Sequence, residues 1–343
     1  MHAVILAAGK STRTYPLTLT RPKPLLRVAN KTILEYNLEA VSNITDEVII
    51  VTGYKKDMIQ DFIEKNKPKL KIRFIEQKEQ LGTGHAVAIL EEHIKDKFVL
   101  MLGDNIYSRR DVEAIAKHRY SILVKRVKNW QEFGIVKEKN NILIDIVEKP
   151  KEFISDLVSC GLFSMDKKIF GYLQNVKRSE RNEYELTDAL RELASTDTLH
   201  CTKSVSCFQI SYPWDLLIAD QVLRNDKNVI GKASKINGSI SNSTVGNNCE
   251  INGSIKNSII MDNTSIAKNS IVEDSIIGEN VNFDGKITAK NNVYSTVKGK
   301  KINVDRFGAV VGDNVKAKNV DIGPGCKIWP NKSIKGEVKH DIK

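Results

Sequence analysis

Five cationic side chains crowd the segment that follows the first apolar run of the chain: Lys10, Arg13, Arg21, Lys23 and Arg27. No Asp or Glu lies between residues 9 and 34, so the local sequence offers no neutralising partner and the segment suits a polyphosphate. The phrase Gly9-Lys10-Ser11-Thr12 invites comparison with a Walker-type phosphate loop. That motif requires glycine five residues before Gly9, where Val4 stands. A solvated basic loop is the alternative on charge alone. Position favours function, because the segment leaves a strand at the end where doubly wound sheets bind ligands. Asp104 follows another apolar run, which would set its carboxylate at a strand's carboxyl end; a turn residue before Asn105 is the other reading. No Ser/His/Asp or Cys/His grouping suggests nucleophilic catalysis. The five cysteines (Cys160, Cys201, Cys207, Cys249 and Cys326) form no CxxC or zinc-type spacing and read as free thiols in a reducing compartment.

The scaffold for these groups is legible in the patterning. Through about residue 230, short β-rich runs alternate with amphipathic helical patterns, which predicts an α/β fold with a doubly wound, mixed but mostly parallel sheet. Expected strands are His2 to Ala8, Glu47 to Val51, Lys71 to Glu76 and Phe98 to Leu102. Expected helices fall at Ile33 to Ser42, Asp57 to Asn66, His85 to His93, Val112 to Lys117, Leu186 to Ala194 and Trp214 to Arg224. Phe133 to Lys137 and Ile142 to Glu148, bridged by Asn140 and Asn141, read as a hairpin. Pro16, Pro22 and Pro24 rule out any helix longer than a turn within the cationic segment.

From about Ser234 the texture changes to Asn, Ser and Gly with isolated aliphatics. Val245 to Ile251, Ile260 to Ile266, Ile277 to Phe283 and Ile322 to Ile328 to Ile334 are spaced by six, as in a hexapeptide β-helix, although Ile266, Ile271 and Ile276 are spaced by five. A disordered Asn/Ser-rich tail would not keep this period. Two domains are therefore expected, 1–230 and 231–343. The hydrophobic content of 41% over 343 residues supports more than one core. The net charge of +11 divides into 36 basic and 31 acidic side chains through residue 230, and 17 and 11 beyond it. No basic arm results, so nucleic acid is not an expected partner. The opening MHAVILAAGK lacks the pattern of a secretory signal, and no eighteen apolar residues run together; a cytoplasmic protein that does not enter membranes is expected.

AAGKSTRTYPLTLTRPKPLL resembles the nucleotide-binding signature of the sugar-phosphate nucleotidylyltransferases. The resemblance continues, in family order, through QLGTGHA, LGDNIY, FGIV, VEKP, RNEYELTDAL and YPWDLL, and so covers nearly all of residues 1 to 230. The tail resembles the left-handed parallel β-helix that long members carry, including those joined to an acetyltransferase. The resemblance implies Leu6, Ala8, Gly9, Gln77, Gly82 and Thr83 as nucleotide-binding positions, with Gln77 and Gly82 reading a pyrimidine base, so that UTP or dTTP is favoured. Asn105, Gly134, Glu148 and Gly161 match sugar-contacting positions. It makes Asp104 and Asp215 ligands of Mg²⁺, although Asp215 could instead cap its helix. Arg13 would serve the triphosphate, and Lys23, Lys149 and Arg181 the α-phosphate and the sugar phosphate.

The implied reaction is attack by a sugar 1-phosphate oxygen on the α-phosphorus of a nucleoside triphosphate. The nucleophile is already ionised, with a second pKa near ~6, so no general base is needed. Glucose 1-phosphate is the leading substrate. An N-acetylglucosamine-1-phosphate uridylyltransferase with a degenerate acetyltransferase site, and a non-catalytic sugar-nucleotide-binding subunit, are the alternatives. The chain departs from the family at Ser11, where a second glycine is usual, and at Ser159, where Asn is common. Lys286 to Lys301 resembles the acetyltransferase stretch without its His, and the only His after residue 200 is His340. The tail is expected to form a homo-oligomer, a trimer or a dimer of trimers.

Overall fold

The computed structural model describes all 343 residues, arranged as two compact units that do not follow chain order. One comprises Met1–Gly9 and Leu34–Gln209; the other comprises Lys10–Ile33 and Ile210–Lys343. The texture change near residue 230 is therefore not where these units divide, because the cationic segment belongs with the C-terminal part of the chain.

The strands through residue 209 run in chain order as β1 (His2–Ala7), β2 (Arg27–Val28), β3 (Lys31–Thr32), β4 (Glu47–Thr52), β5 (Lys71–Glu76), β6 (Phe98–Leu102) and β7 (Asn105–Tyr107). They continue as β8 (Ser121–Arg126), β9 (Gly134–Lys139), β10 (Ile142–Glu148), β11 (Leu157–Met165), β12 (His200–Lys203) and β13 (Cys207–Gln209). In the first unit nine of them form a sheet in the order β5-β4-β1-β6-β11-β8-β12-β10-β9. The four strands β5, β4, β1 and β6 are mutually parallel; the apolar runs of β4, β1 and β6 are buried on both faces, as in Ala3-Val4-Ile5 and Val48 to Val51, whereas the edge strand β5 has no fully buried residue. Beyond them the sheet is mixed but still mostly parallel, as expected, with β12 parallel to β8 and only β11 and β10 reversed. β11 is antiparallel to both β6 and β8, and β10 is antiparallel to β9 and β12.

Helices α1 (Ile33–Val41), α2 (Lys56–Asn66), α3 (Thr83–Ala88), α4 (Arg109–Ala116), α5 (Lys168–Leu173) and α6 (Leu186–Thr196) accompany these strands. The start of α4 is fixed by Ser108, whose Oγ accepts the Asp111 amide at 3.1 Å. The expected helix at His85 to His93 instead begins at Thr83, because Gly82 turns the chain at φ 105 immediately before it. The β9–β10 hairpin is closed by Asn140 and Asn141 at φ 53 and 60, the paired left-handed conformations that a tight hairpin turn requires.

In the second unit the cationic segment forms three single 3-10 turns, at Thr12–Thr14, Leu17–Leu19 and Lys23–Leu25, and the β2–β3 ribbon. Helix α7 (Asp215–Leu223) then leads into a left-handed parallel β-helix. Its coils are shorter than three hexapeptides. Thr244 pairs with Ile259, fifteen residues on, and Ile259 with Ile276, seventeen residues on. The six-residue spacing is kept across one corner, from Val245 to Ile251, Ile260 to Ile266 and Ile277 to Phe283, all of which point into the core. Of the two spacings of five, the first arose from counting Ile271, whose neighbour Val272 points inward; the step from Val272 to Ile277 is a genuine five. A hairpin, Lys290–Val297 with Lys300–Phe307, interrupts the coils between Ile287 and Val310 and packs back on them, with Ser295 donating to the Gly325 carbonyl at 2.8 Å.

Candidate functional site

Each unit carries its own group of the expected site residues. In the first, Leu6, Ala8 and Gly9 lie at the carboxyl end of β1. The Gly103 amide donates to the Leu6 carbonyl at 2.8 Å, so the turn after β6 is drawn against β1 and Asp104 stands at the end of the parallel strands. A Cβ at Gly103 would lie 2.7 Å from that carbonyl oxygen, which explains glycine before the carboxylate.

Gln77 follows β5 with its side chain buried; its Nε2 donates to the Gly82 carbonyl at 3.3 Å and lies 3.0 Å from His85 Nδ1. Gly82 cannot carry a side chain, since a Cβ there would meet the Tyr184 carbonyl at 2.6 Å. The Gly84 amide donates to that same carbonyl at 2.8 Å, and Thr83 Oγ1 accepts the Leu186 amide at 3.2 Å. Asn182 to Leu186 therefore joins the Gln77–Thr83 wall to a charged cluster. There Arg181 lies 2.7 Å from Glu185, 3.4 Å from Glu183 and 3.5 Å from Glu148, with Lys149 Nζ 3.7 Å from Glu148. Burial raises the Glu148 carboxyl above its ordinary range, against the pull of Lys149 and Arg181. Gly134 faces Glu148, with 3.0 Å between the carboxylate and the position a Cβ would take.

Asn105 is buried, and its amide donates to the Cys160 carbonyl at 3.2 Å, which fixes its orientation. Gly161, at φ 73, leaves no room for a side chain beside Leu102. Ser159 Oγ accepts the Gly161 amide at 3.2 Å. Three polar residues of this region escaped the sequence reading. Tyr107 shares its hydroxyl between the carbonyls of Cys160 and Gly161, at 2.9 and 2.8 Å. Gln209 donates to the Ser159 carbonyl at 3.0 Å while its buried Oε1 has no partner, and the buried Thr187 hydroxyl likewise has none. Tyr107 and Thr187 lie inside recognisable phrases, whereas nothing in the sequence marks Gln209.

In the second unit, Ser11 adopts φ 51 and ψ 50, the left-handed conformation for which glycine is the usual residue. Its carbonyl accepts Thr14 Oγ1 at 2.7 Å and Thr18 Oγ1 at 2.9 Å. Arg13 is 5.7 Å from the Tyr212 ring centroid, and Tyr212 stacks on Trp214 at 4.9 Å. Lys23 is buried, at 3% exposure. Asp215 opens α7 without capping it. Its Oδ2 accepts the Ser211 and Tyr212 amides of the preceding turn, both at 2.7 Å. Burial raises its carboxyl above the ordinary range, while those amides, Lys23 and Arg13 oppose the rise. Arg21 and Arg27 do not fit the polyphosphate expectation. Arg21 is paired with Glu279 and Asp313, and Arg27 lies 3.5 Å from Asp262. The acids missing from the local sequence arrive from the β-helix.

No three or more His, Cys, Asp or Glu residues gather to cage a metal. Carboxylates outside such a cluster, as at Asp104 and Asp215, suit a hard dication that completes its shell with phosphate oxygens and water, and do not suit structural zinc.

Residues 2–206 match the family model for nucleotidyl transferases, and residues 218–342 match the model of the GMPPB C-terminal domain. The chain belongs to the nucleotidyl transferase family, whose members generally use a divalent metal ion. It is 36% identical to the bifunctional protein GlmU of Methanocaldococcus jannaschii, over 96% of this chain and 92% of that one. It is 30% identical to a bifunctional sugar-1-phosphate nucleotidylyltransferase/acetyltransferase of Sulfurisphaera tokodaii, over 96% and 94%. Among solved structures, one assigned as a glucose-1-phosphate thymidylyltransferase of Bacillus anthracis, in complex with sucrose, superposes with a TM-score of 0.60 at 26% identity, covering 66% of this chain and 96% of that chain.

Proposed function

We propose that this nucleotidyltransferase joins a pyrimidine nucleoside triphosphate, dTTP or UTP, to a hexose 1-phosphate, with glucose 1-phosphate as the leading acceptor, and releases pyrophosphate. The observation that carries the reading is the continuous wall in which Asn182 to Leu186 connects Gln77 and Gly82 to Glu148, Lys149 and Arg181. A buried amide beside close-packed backbone can pair with the imide edge of a pyrimidine, and Glu148 can accept hydrogen bonds from sugar hydroxyls. Leu6, Ala8, Gly9 and Thr83 would complete the nucleotide site, and Asn105, Gly134 and Gly161 the sugar site. Arg13 would hold the triphosphate, while Lys23, Lys149 and Arg181 would hold the α-phosphate and the acceptor phosphate, so that catalysis rests on alignment and charge neutralisation. Asp104 and Asp215 would hold Mg²⁺, which neutralises phosphate charge when bound.

N-acetylglucosamine 1-phosphate with UTP is the second reading, favoured by the GlmU relative that matches 96% of the chain. The β-helix is proposed to assemble a trimer or dimer of trimers, without nucleic-acid or membrane partners. No helix is long and apolar enough to cross a membrane. Pyrophosphate release with each pairing of dTTP, UTP, ATP and GTP with a panel of sugar 1-phosphates tests the reading. Turnover only with a purine triphosphate, or no turnover with tight binding of a sugar nucleotide, would contradict it.

A further inference from the structure

One corner of the β-helix repeats a short phrase: Val245-Gly246-Asn247-Asn248, Ile260-Met261-Asp262-Asn263, Ile277-Gly278-Glu279-Asn280 and Val311-Gly312-Asp313-Asn314. The Asn that ends each phrase is left-handed, at φ 55, 59, 56 and 60. At the position before it, a side-chain oxygen accepts an amide from the coil below. Asn247 Oδ1 takes the Lys232 amide, Asp262 Oδ1 takes the Asn247 amide and Asp313 Oδ1 takes the Glu279 amide, each at 2.8 Å. Asn247 shows that an amide side chain suffices for this ladder. The negative charges at the next three levels must therefore do something else.

Their partners lie in the cationic segment. Asp313 Oδ2 accepts Thr20 Oγ1 at 2.6 Å and pairs with the buried Arg21 guanidinium, which also pairs with Glu279; Asp262 faces Arg27. Two further bonds fix the end of the same segment: the Ala29 amide donates to Asp220 Oδ1 of α7 at 2.8 Å, and Asn30 Nδ2 donates to the Val245 carbonyl at 2.7 Å. Lys23 lies two residues from Arg21, and Arg13 lies in the same segment. We propose that Asp262, Glu279 and Asp313 are positioning residues for nucleotidyl transfer, the β-helix corner holding the loop that presents Arg13 and Lys23 to the triphosphate. This rests on the proposed function.

The full chain carrying Asp313→Asn keeps an acceptor for the Glu279 amide but loses the charge that faces Arg21. The expected result is a fall of about tenfold or more in kcat/KM for the triphosphate, with KM for the sugar 1-phosphate within about twofold of the parent. Asp262→Asn, at the more exposed pair, should shift the same parameter by about threefold. Unchanged triphosphate kinetics, or equal losses for both substrates together with a lower melting temperature, would overturn the proposal. If the parent enzyme turns over no pair of substrates, the proposed function fails by itself. The positioning role is then read from equilibrium binding of UTP and dTTP: weaker binding by Asp313→Asn supports it, and equal or absent binding by both proteins overturns it.

Discussion

Asp104 tests the chemistry most directly. Asp104→Asn changes no volume but weakens a ligand for a hard cation, so turnover should fall about a hundredfold while the melting temperature stays within about 2 °C of the parent. Near-normal pyrophosphate release in Mg²⁺ would remove Asp104 from the site. Gln77→Ala should reduce discrimination among triphosphates more than it reduces the maximal rate, because a base contact is remote from the α-phosphorus; a rate loss equal for every base would contradict that role. Glu148 adds a test through stability. Its carboxyl is raised in the folded protein, so folding disfavours the charged form. The associated stability is fully present below the ordinary carboxyl pKa and is lost as pH rises through the raised one. Glu148→Gln should therefore melt higher than the parent at pH 7, lose this advantage near pH 4, and bind the sugar 1-phosphate less well. A lower melting temperature at pH 7 would contradict this sign. The limits of sequence reading also lie at this scale. A local charge count cannot see Glu279 or Asp313 approaching Arg21 from more than 250 residues away, so Arg21 and Arg27 read as phosphate ligands when their charge is already matched.

Legibility among the elements follows the distinctness of their periods. Strands β1, β4, β5 and β6 and helices α1, α2, α6 and α7 fall within a few residues of their apolar patterns, because each is one uninterrupted run. β11 did not stand out in the sequence, since Ser159, Cys160, Gly161 and Ser164 break up a strand that is nevertheless buried along its whole length. The repeat was visible because the step across one corner keeps its six-residue spacing. The true coil lengths were not, since corners shorten where Gly and left-handed Asn allow it. Even the unshortened corner between Ile277 and Phe283 is tight at Gly278, where a Cβ would collide with Asp313 Oδ1. Gly278→Ala should cost about 1–3 kcal/mol in urea unfolding of the full chain, because backbone and carboxylate must shift together. A change below about 0.5 kcal/mol would show that the corner yields.

For the molecule as a whole, sedimentation of the full chain should report a particle of three or six copies, and a monomer would remove the β-helix from assembly. With acetyl-CoA and glucosamine 1-phosphate no CoA should be released, since His340 is exposed near the end of the chain and the Lys290–Phe307 hairpin contains no His. The pairing of Arg21 with Asp313 also has a consequence for the order of synthesis. The two residues are 292 positions apart, so a ribosome making ~5–20 residues per second exposes the loop for about 15–60 s before its partner emerges. Through that interval the loop lacks the bonds that Thr20 and Arg21 make to Asp313, and its basic positions stay open to proteases. Chains stalled before Asp313 should be cut by trypsin within residues 10–27, released chains should resist, and equal resistance would show that the loop is set without the β-helix.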